Sequence, residues 1–215
     1  SWVAAGRTHA CALERAGGVA CWGENDRGQL GEPTGVASAS PRRIAAIDAA
    51  TRVVAGDGFS CALSRGRVLC WGRNERAQLG DGTTVDRASP APAAGVEDAV
   101  SVAAGRRHAC ALRRSGEVWC WGDESAPFDP EPIFPEPHPS WLPHSVADAG
   151  SAVAIVAGAG NSCALLRGGE ARCWGDDVPS AAWIGRSSVA RVDWLASSDA
   201  IGLGVQTVYQ EPQLF

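Results

Sequence analysis

HACALERAGGVACWG, residues 9–23, sets Cys11 and Cys21 on either side of a Gly-Gly turn and closes on Trp-Gly. The pattern returns as GFSCALSRGRVLCWG at 58–72, HACALRRSGEVWCWG at 108–122 and NSCALLRGGEARCWG at 161–175. The leading cysteines Cys11, Cys61, Cys110 and Cys163 follow one another at 50, 49 and 53 residues, the spacing of a propeller blade. The fold question is therefore a question about one repeating unit.

Each unit opens with a short apolar run ending in glycine: Val3–Gly6, Val53–Gly56, Val102–Gly105 and Ile155–Gly158. Cys-Ala-Leu follows as a second run, then a turn rich in Gly, Ser and Arg, then a third run ending Cys-Trp-Gly. Apolar runs of this length between turn signals read as strands. In three units a proline-containing segment leads to a further apolar run, as at Pro41–Ile47. Blades are expected at about 2–50, 51–99, 100–150 and 151–182. A degenerate unit at 183–215 aligns Ile201 and Gln210 with the two cysteine positions, so both cysteines are lost together. Joint loss is what a bonded pair predicts.

Cysteines flanking a hairpin turn stand opposite each other on antiparallel strands, at Cα separations of roughly 4.4–6.8 Å that a disulfide accepts. The expected pairs are Cys11–Cys21, Cys61–Cys70, Cys110–Cys120 and Cys163–Cys173. Zinc is the competing reading, but structural zinc takes closely spaced pairs converging on one ion, and here each unit carries a single, widely spaced pair. Disulfides imply an oxidising compartment, extracellular or periplasmic.

Composition narrows the partners. The net charge is −5, all 19 basic residues are Arg, and no Lys or Met occurs. A nucleic-acid partner is not expected, because phosphate neutralisation needs a concentrated positive face. No apolar stretch is long enough for a membrane span. The chain opens at Ser1-Trp2-Val3 directly into strand-like sequence, which suggests a processed chain or a segment of a longer one.

The units G-x-x-H-x-C-A-L, G-x-V-x-C-W-G and W-G-x-N-x-x-G-Q-L-G, the last at Trp22–Gly31 and Trp71–Gly80, resemble the regulator of chromosome condensation repeat family. They look most like a bacterial, exported, cysteine-containing branch of it. The resemblance runs through 2–175 and fades over 183–215. The third unit departs, reading Trp121-Gly122-Asp123-Glu124-Ser125-Ala126-Pro127, and the fourth keeps only Trp174-Gly175. The resemblance implies an all-β fold, a β-propeller with four recognisable blades and a degenerate fifth in an incomplete or open ring. Nucleotide exchange on a chromatin-bound GTPase belongs to one member of that family. The missing Lys, acidic balance and paired cysteines argue against it here. Exported relatives include an inhibitor that grips its target enzyme through loops on one propeller face, so the resemblance implies protein binding.

Residues that could carry chemistry have plainer roles. His9 and His108 share one repeat position, taken by Phe59 and Asn161 elsewhere, and are expected to hydrogen-bond between blades. Trp22, Trp71, Trp121 and Trp174 are one per blade and read as core, with the indole N–H satisfied locally. Acidic residues such as Asp81 fall in turns, where turn chemistry accounts for them better than calcium. No nucleophile elbow, phosphate loop or haem motif is present. No catalytic residue, metal or cofactor is expected.

One segment breaks the repeat: APFDPEPIFPEPHPSWLPH, 126–144, with seven prolines. Two readings stay open, a rigid loop folded over the propeller and a preordered arm presenting Phe128, Ile133, Phe134 and Trp141 to a partner. The sequence thus predicts a non-enzymatic, exported protein-binding propeller, a structural or accessory subunit of an extracellular or membrane-associated assembly whose other subunits are its partners. A stand-alone secreted binding or inhibitory propeller is the alternative, and an enzyme with a hidden site the distant third.

Overall fold

The computed structural model describes residues 2–33, 35–123, 141–147, 149–175 and 183–184. Sixteen strands and no α-helix occur among them. The first sheet is an antiparallel meander of β1 (Trp2–Ala5), β2 (His9–Leu13), β3 (Val19–Gly23) and β4 (Ser38–Arg43). The second repeats it with β5 (Ala50–Ala55), β6 (Phe59–Ser64), β7 (Arg67–Gly72) and β8 (Arg87–Pro92). The third runs β9 (Ala99–Ala104), β10 (His108–Arg113), β11 (Val118–Gly122) and β12 (His144–Ser145). The fourth runs β13 (Ala152–Ala157), β14 (Asn161–Leu166), β15 (Ala171–Gly175) and β16 (Trp183–Ile184). The fourth blade, bounded at 182 in the sequence reading, thus takes its outer strand from 183–184, which pairs with Arg172 and Ala171. Ile201, Gln210 and the rest of the degenerate unit lie outside the described residues.

Local chemistry sets each meander. The second hairpin turns at Arg65 (φ 51°) and Gly66 (φ 78°), the two positive-φ positions of a type I′ turn that matches strand twist. It needs one residue fewer than the first hairpin, yet Cys61 still faces Cys70 as Cys11 faces Cys21. Proline enters only the outer strands, Pro41 in β4 and Pro90 and Pro92 in β8, where its missing N–H breaks no inner ladder.

The core lies between blades. Side chains alternate along each strand between the preceding and the following blade. Cys11, Cys21 and Val19 of the first blade meet Val53, Ala62 and Trp71 of the second. Phe59, Leu63 and Val68 of the second meet Val102, Ala111 and Trp121 of the third. Leu112 and Val118 of the third meet Ile155 and Ala164 of the fourth. The innermost strands β1, β5, β9 and β13 stand side by side. Each turns into its neighbour through one glycine whose N–H donates to the residue three ahead: Gly6 to His9, Gly56 to Phe59, Gly105 to His108 and Gly158 to Asn161. A Cβ on Gly105 would run into the carbonyl oxygen of Gly158 in the next blade, so only glycine allows the inner strands this close.

The described blades form an open arc, each packed on the next in sequence. On the leading side of the first blade Val3 is 59% exposed, although its counterparts Val53, Val102 and Ile155 are 0%, 1% and 5% exposed.

Candidate functional site

The four cysteine pairs are bonded within their blades: Cys11–Cys21, Cys61–Cys70, Cys110–Cys120 and Cys163–Cys173. Each joins register partners on the two central strands. Their Cα separations of 4.0–4.1 Å fall below the expected window, because directly opposed, non-hydrogen-bonded residues are the closest pairs an antiparallel ladder offers. Among the described residues no cysteine is free and no group of three or more His, Cys, Asp and Glu is placed to hold a metal.

The loops leaving β3 and β7 explain the W-G-x-N-x-x-G-Q-L-G spacing. Asn25 Oδ1 accepts from the Leu30 N–H at 3.0 Å, and Asn74 Oδ1 from the Leu79 N–H at 2.9 Å. Gln29 Oε1 accepts from the Arg27 N–H, and Gln78 Oε1 from the Arg76 N–H. All four side chains are buried, so each loop is closed by its own amides. Asp81 Oδ1 accepts from the N–H and hydroxyl of Thr83 and from Asn74 Nδ2, the turn role expected of it.

These loops then serve the next blade. Trp71 Nε1 donates to the Gln29 carbonyl and Trp121 Nε1 to the Gln78 carbonyl, each at 2.9 Å. The indoles are therefore satisfied across the blade interface, not locally as the sequence suggested, because the carbonyl that reaches them belongs to the preceding repeat. The third unit has lost Gln-Leu-Gly, and Trp174 Nε1 in the fourth is buried without a partner among the described residues. Trp121→Phe should consequently destabilise the chain by about 1–3 kcal/mol, since it orphans the buried Gln78 carbonyl. Urea unfolding of the variant reads that cost directly, and an unchanged stability would refute the assigned role of the Gln78 carbonyl.

The histidines pair across interfaces. His9 Nε2 lies 2.8 Å from Ser60 Oγ, and His108 Nε2 lies 2.8 Å from Ser162 Oγ. Between the second and third blades the same position holds Phe59 facing the apolar residue Ala109. A histidine thus takes a serine on the next blade and a phenylalanine takes an alanine. The serines escaped sequence reading. The signal was their alternation with alanine in the residue after each histidine position, Ala10, Ser60, Ala109 and Ser162. Desolvation pushes His9 down to about 4, against the opposing field of Asp57 and a hydrogen bond to the Phe59 backbone. His9 is a neutral, buried interface residue, and its Ser60 partner is fully buried, so the pair is closed off from solvent inside the interface.

Of the expected arm, Phe128, Ile133 and Phe134 lie outside the described residues. Trp141 is half-buried, and the Leu142 side chain lies close to Gly82 of the second blade's loop. The same loop face, formed by the β1–β2 and β3–β4 connections and their repeats, exposes Val36 (57%) and Val85 (68%).

Meandering four-stranded sheets that bury one core per interface and share a glycine ring at their inner ends define a β-propeller built from repeated blades. The chain belongs to the regulator of chromosome condensation (RCC1) repeat family: two models of that repeat match it, one at 16–63 and 65–112, the other at 50–78, 99–126 and 152–178. Human WBSCR16 superposes with a TM-score of 0.67 at 24% identity, covering 80% of this chain and 46% of that one. Yeast RCC1 (Prp20), solved bound to Kap60, superposes with a TM-score of 0.65 at 23% identity, covering 81% and 43%. The CRINKLY ectodomain of the Arabidopsis thaliana receptor kinase ACR4 gives 0.52 at 21% identity, covering 83% and 51%. The chain spans about half the length of these solved chains or less. No curated protein sequence matches it.

Proposed function

We propose that this chain is a non-enzymatic, exported protein-binding propeller that acts as a structural or accessory subunit of a larger extracellular or membrane-associated assembly. The observation that carries the reading is the disulfide-bridged propeller itself, a fold of the RCC1 repeat family. Four disulfides favour an oxidising site, extracellular or periplasmic. Protein binding is supported by the fold's use elsewhere: yeast Prp20 is described with Kap60 in one structure and by its binding to Gsp1p and histones in another. A nucleic-acid partner is disfavoured by a net charge of −5.

Light scattering after size exclusion, with chemical cross-linking, tests the reading. A mass above that of one chain, with intermolecular cross-links, is the expected result. A monodisperse monomer would instead fit the stand-alone binding or inhibitory propeller and overturn the assembly role.

A further inference from the structure

Resting on the protein-binding reading, we propose that the inner rim of the loop face is a carboxylate site that takes an acidic side chain of a protein partner. Arg7, Asp57 and Arg106 each follow the glycine ending an innermost strand, in three consecutive blades. Three guanidinium groups converge on one oxygen there. Arg7 Nη1 lies 3.7 Å, Arg106 Nε 3.7 Å and Arg73 Nη1 3.4 Å from Asp57 Oδ2. The Asp57 side chain is 11% exposed beneath them, whereas those of Arg7 and Arg106 are 66% and 53% exposed.

One carboxylate cannot neutralise three cations. Arg73 has a second partner in Glu75, but Arg7 and Arg106 have no other acidic partner among the described residues. Each turns a single nitrogen toward Asp57, leaving the other N–H donors of a planar fork for an incoming carboxylate. The ring outside this rim is acidic as well as basic, with Asp26 and Asp86 on Arg27 and Asp123 on Arg107. A phosphate backbone would meet those acids along its length, whereas a short acidic segment can enter between them.

Fluorescence anisotropy with fluorescein-labelled hexaglutamate, at low salt where surface charges are least screened, tests the site. The wild-type chain should bind, Arg7→Gln with Arg106→Gln should weaken binding roughly tenfold, and Asp57→Asn should strengthen it by removing the competing charge. Thermal melts of each variant establish that it is folded. Equal binding by wild type and the double variant, or weaker binding by folded Asp57→Asn, would overturn the proposal. Tighter binding of a short oligothymidylate would assign the rim to phosphate and overturn the carboxylate assignment. Peptide binding needs no assembly partner. A chain that binds hexaglutamate yet stays monomeric refutes the assembly and keeps this site, and one that assembles but ignores the peptide does the reverse.

Discussion

Reduction of the four disulfides should unfold the chain at physiological temperature. Each bridge closes a loop of nine or ten residues. In the chain-entropy account such a loop contributes about 2.5 kcal/mol, so four together contribute about 10 kcal/mol. That sum is comparable with the whole stability of an ordinary domain. The sheets need the help, because their interface cores are rich in alanine: Ala62, Ala99, Ala109, Ala111, Ala152 and Ala164 replace the larger aliphatics that would bury more area. Thermal melts with and without reductant should therefore differ by tens of degrees. Timed alkylation should also find an order. Cys173 is 7% exposed and Cys163 2%, against 0% for the other six cysteines, and thiol attack requires access. The fourth blade's bridge should open first. A reduced chain that melts within a few degrees of the oxidised one would remove the disulfides from the stability account and weaken the case for an oxidising compartment.

What the sequence discloses, and what it withholds, follows the range of each contact. The bridges were legible because both partners sit in one hairpin, and pairing across a turn follows from local geometry. The blade order was legible because the motif repeats along the chain. The Trp71 carbonyl partner was not, since Gln29 lies 42 residues away and offers its main chain, which leaves no trace in residue identity. The His9–Ser60 contact was half legible. The histidine position was recognised as an interface, but the serine 51 residues on looks like any small polar residue until all four units are set side by side. Asp57 was overlooked for a similar reason: alone it is one more loop acid, and only its alignment with Arg7 and Arg106 shows an anion placed between cations. The arm is the reverse case. Its composition attracts notice, yet Phe128, Ile133 and Phe134 lie outside the described residues.

Acidification should destabilise the first blade interface, and two substitutions should abolish that effect. His9 is held down to about 4 chiefly by desolvation, whereas an unfolded histidine titrates near 6.5. The depressed value means that the unfolded chain binds the proton more readily. Stability is therefore full above about pH 6.5, falls as the pH drops toward 4, and levels off once both states are protonated. A gap of this size corresponds to a loss of about 3 kcal/mol. In structural terms, a protonated His9 puts a charge beside Ser60 in an interface made of Cys11, Val53 and Trp71. The chain itself supplies the control, since the next interface places Phe59 and Ala109 at the equivalent positions. His9→Phe combined with Ser60→Ala copies that solution into the first interface. The pair should fold, because its shape is already accommodated one blade away, and it should flatten the pH dependence between 6.5 and 4 relative to wild type. Carboxylates titrating in the same range affect both proteins alike, so the difference between the two urea-unfolding curves isolates His9. Parallel curves for wild type and the double variant would mean that His9 does not titrate with folding, and that the cost of burying it is met elsewhere in the interface.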